Sequence, residues 1–508
     1  VACGGGPDET GAPASTGGGD VTLVRCTPDA GEAQSVTLGE AVTLSATLTE
    51  GEAAAWLWDL GDGTLLDGQA VEHRYAEAGV FSAVVQCTSP DGSRGTDAVS
   101  VTATRALAAV APVWSSTLAR SADGATLYAV NPEDDSIAVI QSESGAVEVW
   151  PACVEPRTVA TQGDAVAVAC GGEDALMLFD AATGAATRVA LPSGARPFGV
   201  VGRDGVWLAT APARGSVVRV SVEGDVREVD VGPDPRGLAW LADGSVVVTR
   251  WRSPDAGGQL YRLSPDLEAM PDVWLDLDRG GDSDTTTGGV PNLLEQVVPS
   301  PDGAALHLPF AHANLLRGSW RTGQPLTHDS TVRAVVATLD AATGEPLGGR
   351  KQLDERGRAN ALAPSPRGER LYVLHTGTRS VTVLDTATGD LAGSLLDVGR
   401  APTGLVVSPD GATLYVHAWL DRRVAAYDVR DLSALVDATW SAATIEAEPL
   451  SAEVLLGKQI FWDAQDPRIT RAGYISCANC HPDGDHDGRT WDFTDRGEGL
   501  RNTPSLLG

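Results

Sequence analysis

A mainly β fold divided into several domains is what the sequence predicts, on three observations. The chain has 508 residues, more than one hydrophobic core ordinarily serves. Its 58 glycines and 30 prolines punctuate short, alternating runs rich in valine and threonine, the signature of strands joined by turns. Convincing helical periodicity is nearly absent before Ser451. The expected order is an immunoglobulin-like β-sandwich, a seven-bladed β-propeller and a partial α-helical domain at the end.

Residues 1–20 read as a leader and flexible linker. Val1-Ala2-Cys3-Gly4 resembles the end of a bacterial lipoprotein signal, in which small residues precede a cysteine that becomes lipidated. That resemblance implies a lipid anchor on Cys3 and a periplasmic or cell-surface location, as a lipoprotein anchored to the outer membrane; no run of about eighteen apolar residues exists to span a membrane. The glycine-, serine- and proline-rich stretch to Asp20 would then be a tether.

Residues 21–105 alternate as a small sandwich: Val42–Ala46, Trp56–Leu60, Val80–Val85 and Val99–Ala103. The run Trp58-Asp59-Leu60-Gly61-Asp62-Gly63-Thr64, with His73, Tyr75, Gly79 and Phe81, resembles the polycystic-kidney-disease (PKD) domain family. The resemblance implies that Trp58 plugs the core and that Asp59 and Asp62 shape a tight turn, with a calcium site as the weaker alternative.

From 106 to 438 the chain repeats at intervals of roughly forty residues, each unit marked by a turn pair: Asp123-Gly124, Gly163-Asp164, Asp204-Gly205, Asp243-Gly244, Asp302-Gly303, Arg367-Gly368 and Asp410-Gly411. Seven markers imply seven blades, which stack around an axis because none buries both faces alone. Leu127-Tyr128-Ala129-Val130-Asn131 and Leu414-Tyr415-Val416 resemble the YVTN type of propeller repeat. The intervals on either side of Asp302 are long, which places Asp278–Asp284, His307, His312 and His328 in insertion loops. These loops are the expected docking surface for the C-terminal domain or a partner, or else ordinary polar loops.

Residues 439–450 read as a linker, and Ser451 opens a helix with Glu453 in its first turn. Then comes Cys477-Ala478-Asn479-Cys480-His481, the attachment signature of c-type haem. Two thiols one helical turn apart can each form a thioether to a porphyrin vinyl group, and the adjacent imidazole then meets the iron. Zinc held with His486, or a redox dithiol, are the alternatives, although adjacent Cys480 and His481 are ill placed for neighbouring corners of one tetrahedron. Of seven cysteines, Cys26 with Cys87 and Cys153 with Cys170 remain as two couples, either disulfides of an oxidising compartment or buried free thiols.

Leu456–Phe461, Ile475–Pro482, Asp487-Gly488 and especially Arg501-Asn502-Thr503-Pro504-Ser505-Leu506 resemble the bacterial di-haem cytochrome c peroxidase family over 451–508. The resemblance implies covalent haem c on Cys477 and Cys480, His481 as proximal iron ligand, and electron transfer that reduces hydrogen peroxide or oxidises a protein. It implies a haem-facing role for Gly457 and Phe461, and calcium near Asp483, Asp485, His486 and Asp487, for which a solvated turn is the simpler reading. Trp491 and Arg501 invite roles in electron relay and propionate pairing, against packing and a surface ion pair. This chain departs from the family in having no second C-x-x-C-H, and its only methionines, Met177 and Met270, belong to the propeller, which leaves the sixth ligand unassigned. The segment is therefore expected to be part of a longer haem fold.

The net charge of −31 excludes a nucleic-acid surface and suits a basic electron-donor or acceptor protein, or simply solubility. The expected function is a c-type haem oxidoreductase of peroxidase-like character with the propeller as scaffold. The alternatives are a non-catalytic electron carrier and a surface adhesion protein with an accessory haem domain.

Overall fold

The computed structural model describes residues 25–106, 112–328 and 330–507, and the chain divides into two compact units at Thr102/Ala103. Cys3, the proposed lipidation site, lies outside the described residues. Among those residues no helix is long and apolar enough to cross a membrane.

The N-terminal unit is a β-sandwich. Its larger sheet has five strands, in spatial order Gln34–Thr37, Arg94–Thr104, Gly79–Thr88, Ala55–Asp59 and Leu65–Asp67. Gly79–Thr88 alternates buried and partly exposed positions, as a strand with one face on the core must. Trp58 is fully buried. Asp59 Oδ1 accepts the Gly61 N–H and Asp62 Oδ1 the Thr64 N–H, while Asp62 Oδ2 bonds His73 Nε2 at 2.7 Å. Both aspartates are thus spent on the turn. Cys26 and Cys87 form a disulfide.

Among the described residues the second unit carries seven antiparallel sheets of four or five strands, each drawn from one continuous stretch: 118–151, 156–190, 200–230, 235–276, 290–353, 359–395 and 402–443. Second strands such as Val206–Ala211 and Arg370–His375 are buried on both faces along all but their first residue and accordingly read as largely apolar runs without alternation. Fourth strands such as Val226–Asp230 are largely exposed. The turn markers act through their aspartates: Asp123, Asp302 and Asp410 each accept a backbone N–H two residues on and a serine hydroxyl two residues back. Neighbouring sheets share cores, and the ring closes where Leu118, Leu127 and Ile140 of the first blade pack with Val406, Tyr415 and Val424 of the seventh. Cys153 and Cys170 are joined within the second blade's environment.

Three expectations are corrected. Ala438–Ala443, read as linker, is the outermost strand of the seventh blade. Alternation there is masked by small residues, so pairing rather than side-chain pattern defines it. His307 and His312 are not in a loop: both lie on the nine-residue strand Ala305–Ala313 and are buried. The extra length of the fifth blade is taken up by this long strand and its partner Val332–Asp340, as well as by loops. The C-terminal stretch is not built as a helical domain, for beyond the helix Ala452–Trp462 it holds short 3-10 turns and a two-stranded hairpin, Thr490–Phe493 with Gly499–Asn502.

The segment leading into the first blade does not run along the outside. Val113 and Ser115 exchange backbone hydrogen bonds with the fourth blade at Trp240 and Leu238, and Ser116 bridges Val159 of the second. Gln296 of the fifth blade donates to Ser115 O and accepts from Leu362 N of the sixth. Residues 113–116 therefore occupy the middle of the ring, in contact with the inner strands of several blades.

Candidate functional site

Four blades begin with one local device. Glu155, Arg196, Asp234 and Ala401 take positive φ directly before Pro156, Pro197, Pro235 and Pro402. The residues one place past three of these prolines, Arg157, Phe198 and Arg236, meet on one face of the ring. The Arg236 guanidinium is held between the Phe198 ring, 3.4 Å from its centroid, and the Trp251 ring, at 3.9 Å. Arg358 of the sixth blade is buried nearby and pairs with Glu295 at 2.6 Å.

The C-terminal segment lies on this face. Its helix starts at Ser451, whose hydroxyl accepts the Val454 N–H at 3.3 Å. Trp462 and Ala478 pack on Ala401 and Leu420, and Trp462 meets Trp419 edge-on. Lys458 and Arg422 both bond Glu133, at 2.6 and 2.7 Å, and Arg422 also engages Glu448. Ala464 N donates to Gly377 O. On the fifth blade's insertion, Trp320 and Arg321 donate backbone N–H groups to Asp492 Oδ2 at 2.9 and 3.1 Å, so this insertion does receive the C-terminal segment.

Cys477–Asn479 forms a 3-10 turn closed by a reciprocal cap: Ser476 N and Oγ both reach Asn479 Oδ1. Cys477 and Cys480 are free thiols, the first exposed and the second half-buried beside Trp491 and Phe493. Burial, with Asp487 and Cys477 adding, pushes the Cys480 thiol up to about 12, unlike the acidic thiols of redox C-x-x-C sites. His481 Nδ1 lies 3.2 Å from Asp485 O; as the donor of that bond it leaves Nε2 with its lone pair. Tautomer selection by a backbone carbonyl is what an imidazole that binds metal through Nε2 requires. Zinc is not favoured by the geometry. Among the described residues the one group of three or more potential ligands within 4.8 Å of one another is Cys153, Cys170 and Glu173, not Cys477, Cys480, His481 and His486.

The loop after His481 is fully engaged. Asp483 Oδ2 pairs with Arg236 at 2.6 Å, Asp485 Oδ2 with Arg252 at 3.1 Å, and Arg252 Nη1 also reaches His486 Nε2 at 3.1 Å. Burial opposes the charge on Asp483, but Arg236, Arg157 and Arg358 outweigh it and hold the carboxyl far below the ordinary aspartate value. Asp487 is buried, accepting from Trp491 Nε1 at 3.0 Å and Arg489 N at 2.9 Å; burial raises its pKa. No local pattern pairs these arginines with the aspartates, since both come from the fourth blade, more than two hundred residues earlier.

The Arg501–Leu506 motif returns to the same place. Thr503 N donates to Arg489 O and Leu506 N to Gly484 O, three residues past His481. Trp491 is packed in a core with Val290, Ala311 and Leu326, and Arg501 is exposed and faces Glu498 at 3.6 Å. Gly457 has open space where a Cβ would stand, and Val454 and Leu456 beside it are half exposed. Among the described residues no close approach uses this glycine.

Residues 24–103 match the family model of the PKD domain. No curated protein matches the sequence. Among solved structures, hydrazine synthase from Kuenenia stuttgartiensis is similar over 61% of this chain and 94% of its own, at 15% identity and a TM-score of 0.53. Virginiamycin B lyase from Staphylococcus aureus is similar over 60% of this chain and 92% of its own, at 13% identity and a TM-score of 0.44. At 15% identity the likeness to the hydrazine synthase is one of fold alone. Residues 24–103 are a PKD domain, carried on one chain with a seven-bladed β-propeller.

Proposed function

We propose that the protein is a c-type haem oxidoreductase, with haem carried by Cys477, Cys480 and His481 on the propeller face. The observation that carries this reading is the joint geometry of the signature: two unpaired thiols on one turn, followed by an imidazole whose Nδ1 is bonded to Asp485 O. Each thiol would add across one vinyl group, its sulfur bonding one carbon and its proton passing to the other. His481 would offer Nε2 to the iron. When bound, the group would supply one-electron chemistry, used in a peroxidase-like reaction with hydrogen peroxide and a protein electron donor.

The residues around it do three things on this reading. Trp491 and Phe493 shield the Cys480 side, Asp485 O fixes the imidazole, and the Arg501–Leu506 stretch buttresses the loop through Gly484. Two disulfides support an oxidising compartment outside the cytoplasm. Calcium finds less support, since Asp483 and Asp485 already face arginines.

Expression of the natural full-length protein in a host competent for cytochrome c maturation tests the reading. A covalent haem that survives denaturation and is lost in Cys477→Ala/Cys480→Ala is expected; its absence from the wild type would overturn the proposal. Oxidation of the reduced haem by peroxide, with turnover of an added donor, separates an enzyme from a pure electron carrier.

A further inference from the structure

The peptide carbonyl that fixes His481 belongs to a loop whose anchors are mostly not in the haem segment. Asp485 is tied to Arg252, and Arg252 is itself immobilised by a two-point pairing with Asp234, Nε to Oδ2 at 3.0 Å and Nη2 to Oδ1 at 2.8 Å. Asp483, two residues earlier, adopts a φ of +56° and pairs with Arg236, whose guanidinium is clamped between two aromatic rings. Two residues later, Asp487 O accepts from the buried Asn292 side chain at 2.9 Å. Every second residue of the loop is thus held by a different rigid group of the fourth or fifth blade. A left-handed backbone at a non-glycine residue is unfavourable by itself and persists where the surroundings impose it.

We infer that Arg252 and Arg236 of the propeller are positioning residues for the His481 imidazole, so that the propeller face is the outer shell of the haem ligand. This inference rests on the haem reading above. The chain of contacts runs Asp234, Arg252, Asp485, His481, with Arg236 and Asp483 holding the loop from its other end. The bond from Nδ1–H to a fixed carbonyl orients the ring and makes Nε2 more basic, which favours oxidised over reduced iron. Loosening Asp485 therefore moves the equilibrium towards reduced iron without touching either thioether.

The test compares the haem-loaded full chain of wild type, Arg252→Ala, Arg236→Ala, Arg252→Lys and, as a control ion pair remote from the loop, Arg430→Ala, which faces Asp428 on the seventh blade. Covalent haem content is expected to be the same in all. At fixed potential the ratio of oxidised to reduced protein should fall by about tenfold in Arg252→Ala, equivalent to about 59 mV for one electron. The iron–histidine stretching band of the reduced protein should broaden in the same variant. Arg252→Lys should recover part of both changes, Arg236→Ala should show a smaller change of the same sign, and Arg430→Ala none. Unchanged potential and band in Arg252→Ala and Arg236→Ala, with haem attached, would overturn the inference. Absence of haem from the wild type would instead overturn the function on which it rests. Should Arg252→Ala fail to fold, Asp234→Asn removes a charge from the far side of Arg252 and is expected to shift the potential in the same direction.

Discussion

The propeller and the C-terminal segment, though one compact unit, are held by opposite means. Each blade is joined to the next by aliphatic and aromatic side chains with almost no exposure, such as Phe310, Leu308 and Val335 between the fourth and fifth blades. The segment 451–507 has no comparable core of its own. Its helix leaves Val454 and Leu456 half exposed, and it is fastened to the propeller by Glu133, Arg236, Arg252 and the Trp320 loop as much as by Trp462. A stretch this small buries too little apolar surface to order itself, so it uses a preformed surface, and directional polar bonds fix its placement. Rigidity at residues 477–481 is borrowed.

Acid should break the propeller first. Burial pushes His307 and His312 down to about 4 and His375 and His417 to about 3. The neighbouring Arg350 and Arg422 further disfavour protonation of His312 and His417. Each depressed histidine is neutral when folded, while the unfolded chain takes up its proton below about 6.5. Stability is thus fully present above that pH and falls as pH drops towards the folded values, by up to about 1.4 kcal/mol per pH unit per histidine. Thermal unfolding followed from pH 7 to 4 should show this decline, and a flat profile would contradict it. Asp483 behaves in the opposite window. Its depressed pKa makes the Arg236 pair complete above about 3.9 and lost only as pH falls through a lower value, so the loop stays docked while the propeller weakens.

Truncating Phe310 to alanine should cost the propeller about 3–5 kcal/mol, seen as a lower midpoint in chemical denaturation of the whole unit. Glu133→Ala acts on the other side of the comparison. It leaves Lys458 and Trp419 without their carboxylate partner and should weaken docking of the helix by about 1–3 kcal/mol. Amide exchange should accelerate in 452–462 and stay unchanged in the blades. The smallest effect is expected from Ser451→Ala, about 1 kcal/mol, confined to exchange at the first turn of that helix.

Legibility followed the same divide. Blades could be counted because their turn markers are local, and at Asp123, Asp243, Asp302 and Asp410 the carboxylate bonds within two residues. The sandwich was visible in Trp58 and its turn, and the C-x-x-C-H in five adjacent residues. Ala438–Ala443 was missed because its small residues carry no alternation, and His307 and His312 because excess length between markers does not say whether strands or loops absorb it. Arg236 and Arg252 were invisible as partners of Asp483 and Asp485. Only the curvature of the ring brings residues 247 and 233 positions apart into contact, and no local pattern encodes that.

The segment at 113–116 has a consequence for assembly. Ser116 meets Val159 of the second blade, whereas Ser115 touches Leu238 and Gln296, which follow it by 123 and 181 residues, so the contacts of the segment are complete only once the fifth blade has been made. Since no blade lends a strand to another, this segment ties the beginning of the ring to its middle, and the shared core of the first and seventh blades ties it to the end; both are non-local contacts of the kind that make folding slow.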